Sequence, residues 1–66
     1  MAYYYRFFPN GTADNQKRVG QPSELPVGTL LRAITDVARG YVNTGIQWKE
    51  ISDDEFFDRL GEINYE

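Results

Sequence analysis

The amino-acid sequence predicts a small α+β domain with a single core: an aromatic N-terminal strand or hairpin, a central amphipathic helix, a second strand around Trp48 and a short, capped, acidic C-terminal helix. Three features carry that expectation. Residues 2–8 are almost all strand formers, the apolar positions from Leu30 to Tyr41 recur at helical spacing, and Ser52-Asp53-Asp54-Glu55 has the layout of a helix N-terminus. Dividing 66 residues would leave units of about 30, below the size that folds without a metal or disulfide, so residues 1–66 are taken as one domain.

The first element is Ala2 to Phe8. Its Tyr and Phe residues favour a pleated backbone, and alternation puts Tyr3, Tyr5 and Phe7 on one face with Tyr4, Arg6 and Phe8 on the other. Both faces are therefore rich in rings. One must be core; the other is either covered by a helix of the same chain or offered to a partner. Pro9-Asn10-Gly11 ends the strand, since Asn-Gly tolerates the positive φ of a tight turn. Asn10-Gly11-Thr12 also matches a glycosylation acceptor, but it is read as this turn. Thr12 to Val19 alternates only weakly, compatible with a return strand starting near Gln16 or with a polar loop. Gly20 to Gly28, with Pro22 and Pro26, predicts an extended connector anchored by Leu25 and Val27.

Thr29 suits a helix N-cap, and Leu30, Leu31, Ile34, Val37, Ala38 and Tyr41 follow at helical spacing. A helix from Leu30 to Arg39, stopped by Gly40, is expected, with Arg32, Asp36 and Arg39 outside and the apolar stripe on the aromatic strand or on a second copy. Val42 to Gly45 is expected to turn. Ile46, Trp48 and Glu50 alternate with Gln47, Lys49 and Ile51, which predicts a strand with Trp48 in the core and its indole N–H seeking an acceptor. Trp is also strongly enriched at binding hot spots. Ser52 then caps the third helical N–H, Glu55 reaches back, and Asp53 and Asp54 complement the positive helix end. The helix predicted from Asp53 to Leu60 has Phe56, Phe57 and Leu60 as its apolar side and Gly61 as its stop, with Glu62 to Tyr65 adding an extended segment.

Composition removes much chemistry. With no His and no Cys, the chain lacks imidazole bases, thiol nucleophiles, thiolate or imidazole zinc sites and disulfides. Asp54 and Asp58 share a helical face, but an acid–base pair needs a concave pocket to separate its pKa values. The acidic run lacks the spacing and central Gly of a calcium loop. No catalytic, cofactor or metal residues are assigned, and the chain is expected not to be an enzyme. It has no apolar run of membrane-spanning length, and its first residues lack a signal-peptide layout, so a soluble, cytoplasmic protein with no membrane partner is expected.

The net charge of −3 hides an asymmetry: residues 1–48 carry +2 and residues 49–66 carry −5. The expected function is binding of a protein partner, as an inhibitor or adaptor of a larger machine, through Tyr4, Arg6, Phe8 and Trp48, with Asp53, Asp54 and Asp58 steering toward a basic groove. Short, acidic, cysteine-free chains of this kind are common among bacteriophage proteins that take over or disarm host machinery, an association of composition alone. One alternative is single-stranded nucleic-acid binding by Tyr4, Arg6 and Phe8 with Lys17 and Arg18, disfavoured by the net charge and by the missing RNA-recognition signature. Another is a homodimer or self-assembling subunit that buries the second aromatic face.

Overall fold

In a computed structural model, which describes residues 3–63, five antiparallel strands form one sheet and a single α-helix packs on one of its faces. The strands are β1 (Tyr3–Phe7), β2 (Ala13–Gln16), β3 (Leu30–Ile34), β4 (Ala38–Asn43) and β5 (Trp48–Ile51), followed by α1 (Asp53–Glu62). Their order is β2-β1-β3-β4-β5, and a single 3-10 turn, Pro22–Glu24, interrupts the β2–β3 connector.

The aromatic strand and its hairpin form as their residues require. Gly11 adopts φ 87°, the Asn10 side chain accepts from the Thr12 N–H and hydroxyl, and pairing runs from Phe7↔Ala13 to Tyr4↔Gln16. The return strand thus ends at Gln16 rather than starting near it. Its alternation is weak because it is an edge strand whose residues are nearly all exposed.

Residues Leu30 to Arg39 are not a helix. They are β3, the turn Thr35-Asp36-Val37 and the start of β4, paired from Leu30↔Val42 to Ile34↔Ala38. A strand buried on both faces reads as a near-continuous apolar run, which periodicity alone does not separate from a helix. Leu30 and Leu31, adjacent in sequence, are 0% and 2% exposed on opposite faces. The residue expected to cap the helix, Thr29, is buried and donates its hydroxyl to the Pro26 carbonyl at 2.6 Å. Gly40 serves clearance, not termination: a Cβ there would lie 2.7 Å from Cδ1 of Phe56. Val42 and Asn43, expected in a turn, are strand residues; the turn is Thr44 to Gln47, closed by Thr44 N–H donating to the Gln47 carbonyl at 3.0 Å.

The core lies between α1 and the face bearing Phe7, Leu30 and Val42 in one row and Gly40 and Ile51 in the next. Phe56, 1% exposed, plugs it and meets the Phe7 ring edge to face at 6.2 Å between centroids. Burying such a ring contributes roughly 2–3 kcal/mol. Leu60 and Ile63 close the far end, and because both are anchored the helix runs through Gly61 to Glu62 instead of stopping at Leu60. Asn64 and Tyr65 of the expected last segment lie outside the described residues. Ser52 does cap α1, accepting from the Glu55 N–H at 3.2 Å, whereas the Glu55 carboxylate turns to Arg59 at 2.9 Å rather than back to the cap. Phe57 is 57% exposed and not part of the core. Its ring is covered on one side by Arg32, which lies 5.5 Å from its centroid and 5.2 Å from that of Phe56 while donating to Asp53 at 3.1 Å.

Candidate functional site

The face opposite α1 carries Tyr4 and Arg6 of β1, Leu31 and Ala33 of β3, Arg39, Tyr41 and Asn43 of β4, and Trp48 and Glu50 of β5, as strand register requires. The chain covers only one half of it, with the β2–β3 connector. Asn43 holds that cover down. Its carboxamide N–H groups donate to the carbonyls of Pro22 (2.9 Å), Leu25 (3.2 Å) and Pro26 (3.1 Å), and its carbonyl accepts from the Gly45 N–H at 2.7 Å. Asn43 is 1% exposed, so it supplies the connector's carbonyls with donors where water does not reach. Leu25 is half-buried as expected, but Val27 is 68% exposed and anchors nothing in the core.

Arg6 is buried under the same cover. It donates to Asp14 at 2.7 Å, its guanidinium stands 5.8 Å from the Phe8 ring centroid, and a Cβ on Gly20 would lie 2.8 Å from its Nη1. Its Nε has no hydrogen-bond partner. Arg6 is therefore tied up in a part-buried cluster with Phe8 and Asp14, and Tyr4 is the member of the Tyr4, Arg6, Phe8 set that lines the open cavity.

Trp48 marks the boundary between covered and open halves. The ring is half-buried on this face rather than in the helix-side core, and its N–H finds its acceptor in the Gly20 carbonyl at 3.0 Å. Beyond it lies an open cavity of about 410 Å³. Leu31 and Ala33, both buried, form its floor; the rings of Tyr4, Tyr41 and Trp48 form its walls; Val19, Thr35, Val37 and Arg39 complete the rim. Arg39 reaches Glu50 only at 3.7 Å, too far for a hydrogen bond, and both side chains are more than half exposed. Among the described residues, neither the Tyr4 nor the Tyr41 hydroxyl has a hydrogen-bond partner.

Asp53, Asp54 and Asp58 are on α1, in the other layer of the molecule, so the residues expected to bind a partner divide between two faces. Tyr4 and Trp48 share the cavity; the three acids do not approach it. Sequence reasoning missed Leu31, Ala33, Val37 and Arg39, assigned to the helix, Tyr41, counted with its apolar positions though beyond its Gly40 stop, and Asn43, assigned to a turn. The alternation Arg39-Tyr41-Asn43 against Gly40-Val42 was the signal for them. Among the described residues, no group of three or more acidic side chains is arranged to hold a metal ion, and no helix is long and apolar enough to cross a membrane. Comparison with family models, curated proteins and solved structures finds no match, so the site is interpreted from its own geometry.

Proposed function

We propose that the protein is a non-catalytic binding module, acting as an inhibitor or adaptor, whose groove on the helix-free sheet face receives an apolar side chain of a partner protein. One observation carries this: the chain folds its own connector over half of an aromatic face and leaves the other half open, with three aromatic rings around a buried aliphatic floor. Tyr, Trp and Arg are the residue types enriched at interface hot spots, and a pre-formed pocket spares a partner the cost of ordering it. The lack of His and Cys favours binding over catalysis.

Val37 offers a clean test, because it lines the groove while 61% exposed, so a charge there blocks the site at little cost to folding. Tagged wild type and Val37→Glu are used for affinity capture from lysate of the source, with and without nuclease. A stoichiometric protein that survives nuclease and is absent from the Val37→Glu sample is expected. Identical capture by both chains, or loss of everything after nuclease, rejects the proposal.

A further inference from the structure

We infer that the groove's occupant is an acidic segment of a protein: an apolar or aromatic side chain seated on Leu31 and Ala33, with a neighbouring carboxylate held by Arg39. This rests on the groove being the binding site. Arg39 stands in register beside Ala33, so its side chain rises next to the floor. Arg6, Arg32 and Arg59 each hold a carboxylate at 2.7, 3.1 and 2.8 Å, whereas Arg39 makes only the 3.7 Å approach to Glu50. Its guanidinium keeps a planar set of donors that suits a carboxylate in two-point contact. The unpartnered hydroxyls of Tyr4 and Tyr41 add two more donors around the same cavity.

The distribution of charge favours the same ligand. Lys17 and Arg18, both exposed, lead directly into Val19 on the groove rim, while Asp53, Asp54 and Asp58 lie on the opposite layer. An anionic ligand is thus drawn to the groove side and a cationic one to the helix side. The groove side also carries acids: Asp14 is taken up by Arg6, Asp36 sits in the rim turn between Thr35 and Val37, and Glu50, as the near neighbour of Arg39, competes with the incoming carboxylate.

The probes are 3-phenylpropionate, its neutral amide 3-phenylpropanamide and the cation 2-phenylethylamine, each titrated into the full chain. Binding is followed by amide NMR shifts and by fluorescence of Trp48, the chain's one Trp and a groove residue. The propionate is expected to bind about three- to tenfold more tightly than the amide. Arg39→Gln should make the two equal, and Glu50→Gln should strengthen propionate binding about two- to threefold. Equal affinity of propionate and amide for wild type, or preference for the amine, overturns the acidic ligand while leaving the groove as a site. No shift at Ala33, Tyr41 or Trp48 with any probe rejects the groove as well.

Discussion

The indole N–H of Trp48 donates to the carbonyl of Gly20 at 3.0 Å, joining the fifth strand to the connector across 28 positions of sequence. This bond fixes where the cover ends and the groove begins. Trp48→Phe keeps an aromatic wall but removes the donor, and should cost about 1–2 kcal/mol. Urea unfolding followed by circular dichroism measures it; an unchanged midpoint would mean that the bond contributes nothing net.

Asn43 supplies all three connector carbonyls from one side chain. Pro22 and Pro26 keep the Leu25 N–H and the Thr29 N–H and hydroxyl as donors, so Asn43→Ala strands the Leu25 carbonyl and removes the tie to β4, for an expected loss of about 2–3 kcal/mol. Hydrogen exchange and limited proteolysis should show the damage concentrated in residues 17–28. Uniform loosening of the whole sheet would contradict a role as the clamp of this segment.

Two glycines should respond with opposite signs. A Cβ at Gly40 meets the Phe56 ring at 2.7 Å, so Gly40→Ala should destabilise by about 1–3 kcal/mol through overpacking. At Gly61 nothing lies within 4 Å and the backbone is helical, so Gly61→Ala should stabilise by roughly 0.5–1 kcal/mol. Thermal melts of the pair provide the check.

Asp14 makes stability depend on acidity. The Gln16 amide donates to both its carboxylate oxygens at 2.9 Å, and with the Arg6 hydrogen bond and charge this outweighs partial dehydration, holding its pKa below the ordinary 3.8. A carboxyl that is more acidic folded than unfolded stabilises fully above the unfolded value, and the contribution disappears as pH falls through the folded one. Melting temperature should therefore drop as the pH falls below about 4, and Asp14→Asn should flatten that drop. Parallel acid limbs for the two chains would remove Asp14 as a cause.

The parts of this fold that were legible in the sequence are those dictated by local chemistry. Tyr3 to Phe7, the Asn10-Gly11 turn, the strand around Trp48 and the Ser52 cap each follow from residues within one turn or one strand. The central hairpin was not, because Leu30 to Ile34 is apolar on both faces and its distinction from a helix lies in partners, β1 and β4, that are remote in sequence. The groove shared that fate. Trp48 and Tyr4 were identified from residue type and alternation, but Arg39 and Tyr41 reach the same cavity only through pairing of β3 with β4. Asn43 is a polar residue in an apolar setting, and nothing near it in sequence announces the three carbonyls it serves.

The strand order has a kinetic consequence. β1 stands between β2 and β3, so the sheet consists of two locally wound pieces, β1–β2 and β3–β4–β5, joined along one seam whose halves are separated by the whole of β2 and the connector. Each piece closes over a short turn and forms fast; the seam must first close a long loop against its entropy. The rate of folding is then set by the meeting of Tyr5 with Arg32 and of Phe7 with Leu30, and the connector settles onto its half of the face only afterwards. Substitutions along the seam should slow folding, and those in the Asn43 clamp should chiefly hasten unfolding, a division that stopped-flow chevrons for Phe7→Ala and Asn43→Ala resolve.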